Sequence, residues 1–84
     1  MNHVYVLEQG ENHEGSHILG LYKSEDSALQ ELANRFNARF DRFRKYLPEE
    51  FAEEMMPVWH QSGEGFESGC DYWTVHERKI IDLD

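Results

Sequence analysis

The sequence predicts an α+β domain, a three-stranded antiparallel sheet with one long and one short helix on one face, in the order β-β-α-α-β. Three observations lead there. Leu29, Leu32, Phe36, Phe40, Phe43 and Leu47 recur at spacings of 3, 4, 4, 3 and 4, which places them along a single helical stripe. Runs rich in β-branched and aromatic residues stand near both ends of the chain, Val4-Tyr5-Val6-Leu7 and Tyr72-Trp73-Thr74-Val75, as strands require. Finally, 84 residues with a hydrophobic fraction of 39% suffice for one core, so the expected organisation is a single domain spanning 1–84.

The first strand is expected at about 3–9 and the second at about 17–23, joined by the polar, glycine-bearing segment Gly10-Glu11-Asn12-His13-Glu14-Gly15-Ser16 as a hairpin loop. Gly20 within the second strand reads as a bulge or as space for a side chain packed above it, with a helix over it. Ser24 is placed to cap a helix whose first turn holds Glu25 and Asp26, where negative charge meets the positive end of the helix dipole. That helix is expected over about 25–47. At about 35 Å it exceeds the width of a three-stranded sheet, so its second half needs another partner. Pro48 stops it and suits the first position of a short helix at about 48–56, whose apolar face is Phe51, Ala52, Met55 and Met56. The segment 57–70 reads as a loop with apolar anchors Val58, Trp59 and Phe66, and the third strand as about 72–81.

The ends of the chain resemble a small strand-strand-helix-strand domain of bacteria and their phages that has no assigned activity. The matching residues are Val4-Tyr5-Val6-Leu7-Glu8, Ile18-Leu19-Gly20-Leu21-Tyr22-Lys23-Ser24, the stretch 25–33, Gly65-Phe66 and the stretch 72–81. The resemblance implies a hairpin feeding a capped helix, with residues 34–62 as an elaboration and the first place to look for a specific job.

Seventeen acidic against eight basic residues give a net charge of −9, which disfavours direct binding to nucleic acid and favours a partner with a basic surface. The charge is divided: residues 1–31 carry −5, residues 32–46 carry +4 and residues 47–84 carry −8. The central basic band, from Arg35 to Lys45, reads either as an internally paired helix surface or as a docking patch for an acidic or phosphorylated ligand. No apolar run approaches the roughly 20 residues of a membrane helix and the N-terminus lacks a secretion signal, so a cytoplasmic protein is expected. A single cysteine, Cys70, leaves no intramolecular disulfide to form.

No residues form a recognised catalytic or cofactor motif, and neither a metal nor a cofactor is expected. His13 and His17 have the four-residue spacing of paired ligands, but in a loop rather than on a helix. Cys70 with His60 and His76 reads as an inert thiol with separate histidines. Gly63, Gly65 and Gly69 lack the lysine of a phosphate loop and carry Glu64 and Glu67 among them. The expected function is therefore a small non-enzymatic binding module, an inhibitor of a basic or nucleic-acid-handling protein of the immunity, antitoxin or phage anti-defence kind. Its expected contact residues are the carboxylates Glu49, Glu50, Glu53, Glu54, Glu64 and Glu67, which steer association, with Trp59 and Phe66 as desolvated anchors. The alternatives are a ligand-sensing or enzymatic domain with a helix–sheet pocket bearing Arg35, Cys70 and His76, and a homodimer formed where Phe40, Phe43 and Leu47 extend beyond the sheet.

Overall fold

The first two strands, β1 (His3–Glu11) and β2 (Gly15–Tyr22), pair antiparallel from Tyr5 opposite Tyr22 to Glu11 opposite Gly15. The computed structural model describes residues 3–46 and 55–79. The hairpin is longer than the sequence suggests because only Asn12, His13 and Glu14 remain as its loop, where Glu14 N donates to Glu11 O at 3.1 Å. Gly10 lies within the strand, and the ring of Tyr72, its partner across the ladder to the C-terminal strand, occupies the space a Cβ there would need. Between Gly20, opposite Leu7, and Ile18, opposite Glu8, Leu19 is an extra residue. This bulge lets Leu19 pack against the core while Ile18 turns to the other face. The space beside Gly20 is filled by the hydroxyl end of Tyr22, two residues along the same strand, rather than by the helix.

Helix α1 (Glu25–Tyr46) starts where the capping argument places it. Ser24 Oγ accepts from Ser27 N at 3.2 Å and Ser24 O from Ala28 N at 3.3 Å, satisfying donors at the open helix end. Leu32 and Ala28 are fully buried, Phe43 nearly so, and Leu29 and Phe36 pack partly buried against the same core.

The sheet has five strands, not three: β3 (Val58–Trp59), β4 (Gly65–Ser68) and β5 (Asp71–Lys79) complete it in the order β2-β1-β5-β4-β3, antiparallel throughout. The β-β-α-α-β reading is thus corrected. The segment 57–70, expected as a loop, supplies two strands, and α1 is the one full helix among the described residues. The short helix expected at 48–56 lies almost wholly outside the described residues. β3 and β4 escape a periodicity reading because they span two and four residues, too few to display alternation. Their partners are set by turns. Gly69 and Cys70 form a two-residue connection from β4 to β5, with Gly69 at φ 63°, the left-handed first position that a type II′ hairpin demands. Gly65 permits close approach, since a Cβ there would lie 2.7 Å from the backbone oxygen of Trp73.

Register assigns the two faces. Tyr5, Leu7 and Gln9 of β1 lie opposite Glu77, Val75 and Trp73 of β5, and Trp73 lies opposite Phe66, itself opposite Trp59; these face α1. Five strands about 4.8 Å apart give a sheet about 19 Å wide, against about 33 Å for the 22-residue helix. β3 and β4 are the partner that the surplus helix called for. Phe36 stacks on Trp59 at 4.5 Å between ring centroids and meets Phe66 edge-on at 5.2 Å. Phe36 and Trp59, both within 34–62, therefore pack with the buried Phe66.

Leu32→Ala removes a fully buried side chain and is expected to lower unfolding free energy by about 2–4 kcal/mol, whereas Leu21→Ala, on the exposed face, changes it by less than about 0.5 kcal/mol. Urea unfolding followed by circular dichroism checks both; equal effects would contradict the assignment of faces.

Candidate functional site

The helix covers one face of the sheet, and the described residues leave two surfaces of chemical interest. The first is the opposite sheet face. Alternation along each strand places Val4, Val6 and Glu8 of β1 there, with Ile18 and Leu21 of β2, Thr74, His76 and Arg78 of β5, Glu67 of β4 and Val58 of β3. Val6, flanked by Leu21 and His76, is buried, but Ile18, Leu21 and Val58 are 58%, 62% and 61% exposed. Strand β2 forms one border of the sheet and carries no Asp, Glu, Lys or Arg between Gly15 and Tyr22, in a chain of which 30% is charged.

The second surface lies beside α1, where Gln9, Arg35, Ala38, Arg39, Arg42 and Trp73 line a notch of about 260 Å³. Arg35, Arg39 and Arg42 follow one side of the helix at i, i+4 and i+7. Arg39 is held from several directions. Its Nη2 donates to Asp71 Oδ2 at 2.8 Å and its Nε to the buried Ser68 Oγ at 3.2 Å. The guanidinium carbon stands 4.7 Å from the ring centre of Phe43 and 5.1 Å from that of Trp73, within cation–π range. Arg35 Nε donates to Glu31 Oε1 at 3.0 Å. That bond, with a second from Asn34, holds the Glu31 carboxyl below its usual range, so the pair is intact at neutral pH and is lost only as pH falls through that lowered value. Arg42 has no hydrogen bond or ion pair among the described residues.

The residues singled out from sequence are distributed as follows. Glu64 and Glu67 are exposed, Glu67 on the open face. Trp59 is 39% exposed, with one side of its ring against Phe36. Phe66, expected as an anchor for a partner, is fully buried and contacts Phe36, Trp59 and Trp73; it has no surface to offer. Glu49, Glu50, Glu53, Glu54 and Leu47 lie outside the described residues. Phe43, expected beyond the sheet, is buried under Arg39. Of the polar groups suggested for a helix–sheet pocket, Arg35 lines the notch, while Cys70 is in the exposed β4–β5 turn and His76 on the open face, 3.8 Å from Glu8. Five residue steps of extended strand, about 17 Å, separate Asp71, next to Cys70, from His76. His13 lies in the first hairpin loop and His17 in β2. Among the described residues no group of three or more His, Cys, Asp or Glu is arranged to hold a metal ion, and no helix is long and apolar enough to cross a membrane.

The exposed apolar pair Ile18 and Leu21 was not singled out from sequence, where both read as ordinary strand residues; the signal present was the absence of charge from 15 to 22. The chain matches no family model, and no curated protein or solved structure matches it.

Arg39→Ala strands Asp71 and removes two ring contacts, and is expected to cost about 2–4 kcal/mol in urea unfolding. Arg39→Lys restores only the charge, without the planar fork, and should recover less than half of that loss; full recovery by lysine would reduce Arg39 to a simple point charge.

Proposed function

We propose that this protein is a non-enzymatic binding module whose open sheet face docks on a protein with a basic surface, such as one that handles nucleic acid, and inhibits it by covering that surface. The observation that carries this reading is the exposure of Ile18, Leu21 and Val58 on the face that α1 leaves uncovered. Large apolar side chains standing in water on one sheet face are a surface that gains by being covered. Glu8 and Glu67 share the face with Arg78, on strands that lie between the border strands bearing Ile18, Leu21 and Val58, so apolar and polar groups are mixed on one face, as at protein interfaces.

Charge supplies the preference for a partner. A net charge of −9 draws a basic surface from beyond contact distance and repels phosphate backbones. The two contributions act on different rates: the field raises association, while desolvation of Ile18 and Leu21 slows dissociation. Glu49, Glu50, Glu53 and Glu54 add four acids close together in sequence and strengthen the field whatever their placement.

The test is capture of the partner from the native cell, followed by kinetics with the purified pair. Ile18→Asp with Leu21→Asp is expected to weaken binding about 100-fold, mainly through faster dissociation, with the thermal midpoint unchanged. Charge reversal at Glu49, Glu50, Glu53 and Glu54, or a rise from low to high salt, is expected to cut the association rate about tenfold or more. Unaltered affinity in the Ile18/Leu21 variant would remove the open face from the interaction; an association rate insensitive to salt would remove the steering.

A further inference from the structure

We propose that the notch beside α1 is a binding site for a small phosphorylated ligand, with Arg42, Arg39 and Arg35 gripping the phosphate and Gln9 providing a neutral polar contact. The inference is independent of the open face, which lies on the other side of the sheet.

The first support is a local charge excess. Three guanidinium groups line the notch, and their carboxylate partners are two, Glu31 for Arg35 and Asp71 for Arg39. Neighbouring like charges along a helix repel, and this chain has seventeen acids to eight bases. Even so, Arg42 stands at the notch without a partner among the described residues. A dianionic phosphate would offset that repulsion and use Arg donors still available.

The second support is rigidity. An arginine has five N–H donors. Arg39 uses one on Ser68 and one on Asp71, which leaves three, and its plane is fixed between Phe43 and Trp73. Arg35 uses Nε on Glu31, which leaves its two terminal nitrogens. The carboxylates thus orient two guanidiniums without exhausting them, and an oriented guanidinium loses little freedom when it takes a phosphate in paired hydrogen bonds.

Size and surroundings limit the ligand. About 260 Å³ lies below the roughly 300–1,000 Å³ of pockets that enclose drug-sized molecules. Beyond Gln9 an adjoining recess of about 180 Å³ is lined by Glu11 and Glu14 with Gly10, Gly15 and His17, so negative charge limits how far an anion can extend. A single phosphate group fits these limits, with any attached organic part directed out of the notch.

Titration calorimetry and amide-shift mapping of the whole protein, with inorganic phosphate, a nucleoside 5′-monophosphate and succinate as probes, test the assignment. Saturable binding of a phosphate probe is expected, with shifts centred on Gln9, Arg39 and Trp73. Arg42→Gln should weaken it about tenfold or more without moving the thermal midpoint, because Arg42 is exposed and has no partner among the described residues. Arg44→Gln, an exposed arginine outside the notch, should leave it unchanged. Equal binding of inorganic phosphate and the nucleotide would place all recognition in the phosphate group; tighter nucleotide binding would extend the site to the organic part, and both support the proposal. It is overturned by no saturable binding of either phosphate probe, by equal losses in Arg42→Gln and Arg44→Gln, or by succinate binding as tightly as phosphate. The open-face interaction is measured separately, so failure here leaves that reading in place.

Discussion

The packing of Phe66 against three other rings is the contact on which the rest of the molecule depends. Phe66 stacks on Trp73 at 4.5 Å, meets Phe36 edge-on at 5.2 Å and meets Trp59 at 5.6 Å and 67°, and it has no exposed surface. These rings come from β4, β5, α1 and β3, so one side chain joins the helix to three strands. Aromatic pairs in these geometries contribute about 0.5–1.5 kcal/mol each beyond the area they bury, a large share of what an 84-residue chain retains as net stability. Without a disulfide, the C-terminal half of the sheet is held to α1 chiefly by this cluster and by Arg39.

The same cluster explains which parts of the fold were legible from sequence. The Ser24 cap, the apolar stripe through Leu32, Phe36 and Phe43, and the strands at both ends are each coded by neighbours within a few residues, so a local reading finds them. β3 and β4 are coded by distant partners. Phe66 becomes a core residue only once Phe36, thirty residues earlier, is laid against it, and a window over 57–70 sees glycines, serines and isolated aromatics. One signal of these strands was nonetheless present: the helix is too long for a three-stranded sheet, and β3 and β4 take up part of that surplus. The reading of Phe66 as a partner anchor failed for a related reason, since a large aromatic between glycines looks the same in sequence whether it faces solvent or a ring contributed from elsewhere.

Charge was legible in amount and only partly in arrangement. The division into acidic, basic and acidic blocks follows from counting, and two alternatives for the basic band remained, internal pairing or docking. The geometry divides the band between them. Arg35 and Arg39 are paired with Glu31 and Asp71, one at a surface where such a pair contributes little and one at a part-buried junction between α1 and the β4–β5 hairpin. Arg42, one turn on from Arg39, makes no such bond among the described residues. The bond from Arg39 to Asp71 could not be read from spacing, because it spans thirty-two residues and exists only because the β4–β5 turn at Gly69 and Cys70 brings Asp71 beneath the helix.

Helix α1 shields one side of the sheet, and this sets what the other side is available to do. Antiparallel sheets tolerate one wet face when its side chains are polar, and Glu8, Thr74, His76 and Arg78 meet that condition. Ile18 and Leu21 do not. Leu21 lies outside through its pairing with Val6, and Ile18 owes its position to the bulge at Leu19, which allows residues on either side of it to serve different faces: Leu19 reaches the core, while Ile18 remains outside beside Glu8. Had β2 continued in regular register, Ile18 would have moved to the helix side. The bulge thus separates two requirements within one short strand, core packing and an apolar outer surface, and it does so at the border of the sheet, where local twisting disturbs the fewest backbone bonds.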